Sequence, residues 1–126
     1  MYISSQEISY YRDQLAECEP AMQSLDAIED AEGDLEDAAT SIALAIGQTP
    51  DRVDWLDGLA KRCRVEICET HLRQDLQDNY IETAINYLLD KKVCPPLLIT
   101  PVIIYIIKQG IDQFCEPLTY QVKQEK

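Results

Sequence analysis

Residues 102–107 read Val-Ile-Ile-Tyr-Ile-Ile, and this stretch decides the fold class. Six successive apolar side chains cover every side of a helix, so a helix formed by them has to be buried all round. The β-branched residues also suit a strand, but the chain has no second stretch of this kind with which such a strand could pair. The stretch therefore predicts a central C-terminal helix, whose core or dimer-forming residues are Ile103, Ile104, Ile107 and Ile111.

The chain is small for a helix that has no polar face. Its 126 residues are expected to form one domain, and a domain of this size buries only about two-thirds of its surface. A second copy would complete the burial, and two-fold dimers are the commonest closed assembly. We therefore expect a homodimer built on this helix; the alternative is a monomer in which neighbouring helices surround it. The surrounding uncharged run, 93–107, is too short to span a membrane as a helix.

Helical signals also dominate the residues before this stretch, and they predict a compact all-α bundle of about five helices. Ser4 or Ser5 can cap the first helix. Apolar residues at helical spacing then predict one long second helix over about residues 20–46, which Gly33 either bends or breaks. The pair 49–50, Thr-Pro, is a typical start signal for a third helix.

The remaining elements complete the predicted bundle. Residues 64–67 alternate like a strand, but the apolar residues from Val65 to Leu76 also fit a helical stripe, and we predict a helix there. A strong helical face follows over 81–92. Two prolines predict an extended linker over 93–100. We thus expect one all-α domain over residues 1–117 and a frayed polar tail over 118–126.

Charge is distributed unevenly along the chain. The sequence has 11 Lys plus Arg and 23 Asp plus Glu, which gives a formal net charge of −12. Residues 1–60 hold 14 of the acids and two of the bases, whereas residues 61–126 hold nine of each. This excess of acid argues against direct binding to nucleic acid or to an anionic membrane surface, because both rely on Lys and Arg. It favours a basic protein partner, bound by an acidic face that includes Asp26, Asp30, Asp34 and Asp37.

Together these features predict a non-catalytic interaction or regulatory module that self-associates and presents an acidic face. An antitoxin, an immunity protein and a nucleic-acid mimic are more specific versions of this prediction, because each can use carboxylates to occupy a basic active site. The alternative for the acidic face is that it only keeps the protein soluble. We expect neither a cofactor nor a metal ion in this function.

A catalytic alternative comes from two pairs of carboxylates. Glu29-x-x-Glu32 is followed in the sequence by Asp54-x-x-Asp57. This arrangement resembles the Glu-x-x-Glu, spacer, Glu-x-x-Asp pattern of the all-α nucleotide pyrophosphohydrolases of the MazG type, although Asp54 stands where that family has Glu. The resemblance implies that the four carboxylates would hold magnesium on two neighbouring helices and present a triphosphate to water. Trp55, which lies between the members of the second pair, is predicted to anchor the core.

Cysteine usage predicts reduced thiols in a cytoplasmic protein. The five cysteines are an odd number, and the first residues lack the basic and apolar regions of a secretory signal. Cys63, Cys68 and His71 could form a zinc site with Cys94, but their spacing matches no standard ligand pattern. A nucleophilic Cys–His pair would need an activating neighbour, and none is marked. The preferred interpretation is that the cysteines are small core residues and that His71 pairs with Asp75 on a helix surface.

Overall fold

The computed structural model of the protein describes residues 1–50, 55–68 and 71–124. Within these ranges there is no strand, and the only β-bridge is an isolated one between Tyr2 and Asp34. The predicted all-α class is therefore confirmed. The described helices are α1 (Ser5–Gln14), α2 (Glu19–Asp30), α3 (Leu35–Ala45), α4 (Trp55–Arg62), α5 (Arg64–Cys68), α6 (Leu72–Gln77), α7 (Glu82–Lys91), α8 (Pro96–Gln109) and α9 (Ile111–Gln124).

The number of helices differs from the expected five or so, because tight turns divide the predicted helices. The clearest case is the predicted helix over 20–46, which breaks at Gly33 into α2 and α3. Glu32 and Gly33 both have positive φ angles, 56° and 88°, and the Gly33 N–H donates to the Ile28 carbonyl at 2.8 Å. The sequence left open whether Gly33 bends or breaks this helix, and the structure shows a break.

A contact distant in sequence explains why the break occurs at this glycine. The first residues of the chain lie across the α2–α3 turn: the Ile3 N–H donates to the Gly33 carbonyl at 2.9 Å, and the Leu35 N–H donates to the Met1 carbonyl at 3.0 Å. A Cβ atom at position 33 would collide with the carbonyl oxygen of Ile3. Only glycine combines the positive φ with this close approach of backbone to backbone.

The predicted linker over 93–100 is wrong in its second half, because α8 begins at Pro96 and contains Pro101. A proline inside a helix has no N–H for the carbonyl four residues earlier, here that of Leu97. The Ser24 hydroxyl of α2 lies 2.6 Å from this carbonyl oxygen and 3.0 Å from the Pro20 oxygen. Ser24 is fully buried, and α2 thus supplies the donor that Pro101 removes.

Helix α8 lies at the centre of the fold. It packs against α2, α3, α4, α7 and α9, and within a single chain Ile103 and Ile104 are fully buried while Ile107 is half-buried. The prediction that residues 102–107 form a buried helix is confirmed, but this helix ends at Gln109 and is not the C-terminal one. The reason for expecting a homodimer is lost, however, because the neighbouring helices already cover α8. The apolar stretch could not show this, since it says nothing about how many helices surround it.

The chain turns sharply after α8. Gly110, with φ of 105°, separates α8 from α9, so Ile111 begins a new helix instead of continuing the apolar one. Within the described ranges no single helix is long and apolar enough to cross a membrane. Helix α8 and the segment Ile111–Pro117 reach that length and hydropathy only together, and they are bent by 95° relative to each other. The backbone of α9 remains helical as far as Gln124, in the segment that we expected to be a frayed tail.

Candidate functional site

Helix α2 carries its carboxylates on the side that faces away from the core. Its packing against α8 buries Ala21, Ser24, Leu25 and Ile28, because these positions recur at helical spacing. The side chains of Asp26, Glu29 and Asp30 are exposed. The predicted acidic face is therefore solvent-accessible along α2.

Arg12 of α1 is the basic side chain closest to these acids. Its guanidinium lies 2.9 Å from an Asp26 oxygen and 3.2 Å from a Glu29 oxygen. The hydrogen bond to Asp26 is the main cause that raises the pKa of Arg12. The two carboxylates nevertheless keep 66% and 63% of their side-chain surface exposed, so Arg12 neutralises them only in part.

The turn between α2 and α3 continues the negative surface. Asp34 caps α3 by accepting a hydrogen bond from the Asp37 N–H at 3.1 Å, and Glu32 and Asp37 are exposed. The charge of Asp34, and then a hydrogen bond to it, raise the pKa of Tyr2. Asp34 is thus a helix cap as well as a member of the predicted face.

Five of the carboxylates on α2, on the following turn and on α3 are exposed, and we call them the acidic surface: Asp26, Glu29, Asp30, Glu32 and Asp37. Residues 1–50 contain 11 acidic side chains and a single basic one, and none of the 11 is buried. An array of exposed carboxylates with a single basic side chain in the same segment creates a negative potential that can attract positively charged groups.

The described members of the two carboxylate pairs that resemble the pyrophosphohydrolase pattern, Glu29, Glu32 and Asp57, do not converge on one point. Glu29 pairs with Arg12, while Asp57 on α4 contacts Lys61 at 2.9 Å and accepts a hydrogen bond from the Tyr105 hydroxyl at 2.9 Å. The Lys61 ammonium is the main cause that lowers the pKa of Asp57. Asp54 lies outside the described residues.

Other potential metal ligands among the described residues do not come together either. Over 1–50, 55–68 and 71–124, no three His, Cys, Asp or Glu side chains are placed so that they could share a metal ion. Glu29, Glu32 and Asp57 therefore form no common site. Trp55 packs against the core from a half-buried position, as we predicted from its place in the sequence.

The structure corrects the expectation that all five cysteines are reduced. Cys68 of α5 forms a disulfide with Cys115 of α9, with the two Cα atoms 5.6 Å apart. Packing of α5 against α9 brings the two residues within the range that a disulfide requires. Cys68 consequently has no thiol for a zinc site or a nucleophilic pair.

Of the other predicted members of the zinc site, Cys63 and Cys94 are in contact with each other, whereas His71 is not buried with them. Cys63 is buried among core residues, where a hydrogen bond from the Cys94 thiol lowers its pKa. His71 is exposed, and its ring lies edge-on to Tyr87 at 6.4 Å between centroids. The predicted ion pair of His71 with Asp75 is not formed between these two described residues. The structure therefore separates His71 from the buried Cys63.

Two residues that matter in the structure, Asn79 and Gln109, belong to no sequence motif. Asn79 has a positive φ of 59° and accepts hydrogen bonds from three side chains of α1, and Gln109 lines a cleft between α8 and α9. Isolated amide side chains form no motif, because their roles depend on which helices meet. An Asn after a helical stretch is the one available signal, since Asn tolerates the left-handed conformation better than most residues.

Comparisons of the chain with protein-family models, with curated proteins and with solved structures found no match.

Proposed function

We propose that this protein is a non-catalytic interaction module that binds a basic protein partner through the acidic surface. The observation that carries this proposal is the segregation of charge on α2 and α3: their inward sides pack on α8, while the carboxylates face solvent with Arg12 as the one basic side chain in residues 1–50. Complementary charge accelerates association and selects among partners more than it adds affinity.

Apolar side chains beside the carboxylates provide a second kind of contact. On α3 the exposed positions Asp37, Ser41 and Leu44 follow a spacing of four and three residues and so lie along one stripe of the helix. Leu44 is 61% exposed and Tyr2, next to Asp34, is 66% exposed. Protein interfaces combine aromatic and apolar contacts with a polar rim, and this composition supports binding rather than solubility alone.

The first experiment compares two triple variants that change the net charge equally. Asp30→Asn, Glu32→Gln and Asp37→Asn remove three charges from the acidic surface, and Asp78→Asn, Asp90→Asn and Glu116→Gln remove three exposed charges from the other half. Binding of a Lys- and Arg-rich peptide is measured by fluorescence anisotropy at several salt concentrations. We expect the first variant to bind about tenfold more weakly than wild type and the second to change little.

The salt dependence distinguishes a localised surface from general attraction. Removal of charges that contact the peptide reduces the dependence of affinity on salt, because exposed charges separated by more than about 10 Å are screened at 0.1 M salt. Equal loss of affinity in both triple variants would show that the peptide senses only the net charge. In that case the acidic surface has a role in solubility and the proposal is wrong.

A further variant tests the apolar part of the surface. Leu44→Ser removes an exposed side chain and leaves all charges in place, so it should weaken binding at low and high salt to a similar extent. Val65→Ser is the matched control, because Val65 is also exposed, at 51%, and belongs to α5 instead of α3. Equal effects of the two changes would contradict a contribution from the α3 stripe.

A further inference from the structure

A cleft of about 510 Å³ lies beside the turn that joins α7 to α8. Its lining, residues 89 and 92–96, is mostly apolar and includes Cys94, which keeps 8% of its surface exposed. The cleft shares no residue with the acidic surface, and its chemistry does not depend on the function proposed above. A small molecule that enters the cleft therefore comes next to Cys94.

Cys94 contacts a second thiol on the side away from solvent. Its thiol donates a hydrogen bond to the sulfur of Cys63, a fully buried residue at the junction of α4 and α5. Neither cysteine belongs to the Cys68–Cys115 disulfide. A disulfide requires two thiols whose side chains point towards each other, and the contact between Cys63 and Cys94 meets this requirement.

The surroundings of this pair favour the reactive form of one thiol. The hydrogen bond from Cys94 lowers the pKa of Cys63, and the same hydrogen bond raises the pKa of Cys94. The positive charge of Arg62 acts to lower the pKa of both thiols, whereas burial and the charge of Glu66 oppose this at Cys63. Since the thiolate is the nucleophilic form of cysteine, a proton shared between two sulfurs makes the pair more reactive than an isolated buried thiol.

We propose that Cys63 and Cys94 form a redox-active pair, which hydrogen peroxide entering through the cleft converts into a second disulfide. Cys94 is the member nearer to solvent and reacts with the peroxide. Cys63 needs no contact with solvent, because it reacts only with the Cys94 sulfur beside it. Hydrogen peroxide is little larger than water and so suits a residue with little exposed surface. The new bond ties the α4–α5 junction to the residues that precede α8.

The oxidation takes place in two steps. After the proton of Cys94 has passed to Cys63, the Cys94 sulfur attacks one oxygen of the peroxide; the O–O bond breaks, a sulfenic acid forms and hydroxide leaves. The Cys63 sulfur then loses its proton and attacks the Cys94 sulfur, the S–O bond breaks, and a second hydroxide leaves. The two thiol protons convert both hydroxides to water. In total the pair loses two electrons and two protons, and one peroxide is reduced to two water molecules.

The test maps the cysteines of the full chain after treatment with hydrogen peroxide under native conditions. Catalase stops the reaction, N-ethylmaleimide blocks the remaining thiols in denaturant, and mass spectrometry of the digested protein identifies the joined peptides. We expect a Cys63–Cys94 cross-link that has lost two hydrogen atoms. Both thiols should disappear at the same rate, because each disulfide consumes one of each. The proposal is overturned if both thiols persist after Cys18 has been oxidised, or if they disappear at different rates.

Three single variants assign the roles within the pair. Cys63→Ser leaves the sulfenic acid of Cys94 without a second thiol, so trapping of Cys94 by dimedone should increase about tenfold over wild type. Cys94→Ser should leave Cys63 reduced, because Cys63 has no exposed surface. Cys18→Ser is the matched control, since Cys18 is a free cysteine outside the pair, and it should form the cross-link as wild type does.

The mapping of wild type decides the matter even if a variant does not fold. Equal trapping of Cys63 in Cys94→Ser and of Cys94 in Cys63→Ser would contradict the entry of peroxide on the Cys94 side. Loss of the cross-link in Cys18→Ser would show that Cys18 takes part in the oxidation, and the pair as proposed would then be wrong.

Discussion

The N-terminal helices and the C-terminal helices of this protein use polar side chains in different ways. Residues 1–50 have 11 acids and one base, whereas residues 71–117 have six acids and four bases. In the first region the turn between helices is held by backbone hydrogen bonds, such as Ile3 N–H to Gly33 and Leu35 N–H to Met1. In the second region, side chains also join one helix to another, as Asp112 of α9 does with Arg73 and Gln77 of α6.

The charged side chains of the first region can therefore be changed without changing the fold. Those of the second region also hold helices together, so that a change in charge there affects the fold. Substitutions in the acidic surface can change its charge without disturbing the turn between α2 and α3, because its carboxylates contact little besides Arg12. In the second region, a change of Asp112 also alters the packing of α6 against α9, because Arg73 and Gln77 of α6 donate hydrogen bonds to this residue of α9. Each of the following predictions alters one of the two regions or the contact between them.

The largest effect is expected where α5 is joined to the second region, on removal of the Cys68–Cys115 disulfide. The bond joins residues that are 47 apart in sequence, and closing a loop of this length restricts the unfolded chain by about 4 kcal/mol. We expect a thiol reductant to lower the free energy of unfolding of wild type by about this amount. The double variant Cys68→Ala, Cys115→Ala is the control and should be insensitive to reductant, whereas insensitivity of wild type would contradict the prediction.

The next largest effect is expected at the α2–α3 turn of the first region, which is held by backbone hydrogen bonds to the first residues of the chain. Gly33→Ala places a Cβ against the Ile3 carbonyl at a residue with φ of 88°, which should cost about 3 kcal/mol through strain and lost hydrogen bonds. Gly58→Ala, in α4, meets nothing within 4 Å and should stabilise the protein by up to about 1 kcal/mol. Denaturant unfolding of both variants tests this contrast; a loss of similar size for both would mean that the contact with Ile3 is unimportant.

These contacts show which parts of the fold could be predicted from sequence. The apolar residues at 102–107 placed the central helix correctly, because a helix with no polar side has few alternatives to burial. The break at Gly33 was not predictable from the spacing of apolar residues, which stays in phase across the turn. It depends on Ile3, which lies 30 residues earlier in the chain.

Contacts between residues distant in sequence also determine the structure around Pro101 and at the candidate sites. Proline normally interrupts a helix, and α8 continues through it because Ser24 of a distant helix provides the missing donor to Leu97. The position of the acidic surface followed from the distribution of charge along the chain. The position of the disulfide did not, because Cys68 and Cys115 come together only where α5 packs against α9.

A smaller effect is expected at the contact between the two regions. The Tyr11 hydroxyl donates to Asn79 Oδ1 at 2.8 Å, so Tyr11→Phe should cost about 1.5 kcal/mol at pH 8. Burial is the main cause that raises the pKa of Tyr11 from 10.0 to about 12. The folded state therefore holds this proton more tightly than the unfolded state does, and the resulting stability is present below pH 10 and is lost as the pH rises towards 12.

The pH dependence of the stability difference between wild type and Tyr11→Phe provides a control for this prediction. The stability advantage of wild type over Tyr11→Phe should shrink between pH 10 and 12, when unfolding is followed by circular dichroism in denaturant at each pH. A hydrogen bond to Glu82 also raises the pKa of Tyr80, so Tyr80→Phe, at an exposed tyrosine, should show a change in the same direction that is smaller than that of Tyr11→Phe. A constant difference for Tyr11→Phe across this range would mean that its ionisation is not linked to folding.

The smallest effect is expected for the triple variant Asp30→Asn, Glu32→Gln, Asp37→Asn. Its free energy of unfolding should stay within about 0.5 kcal/mol of wild type, as for most surface substitutions. The chain carries a net charge of −12, so removing three negative charges also reduces repulsion in the folded state at low salt. Chemical unfolding at low and high salt measures both effects. A loss of more than about 1 kcal/mol would show that these carboxylates hold the α2–α3 joint, and the separation of charge from fold in the first region would then fail.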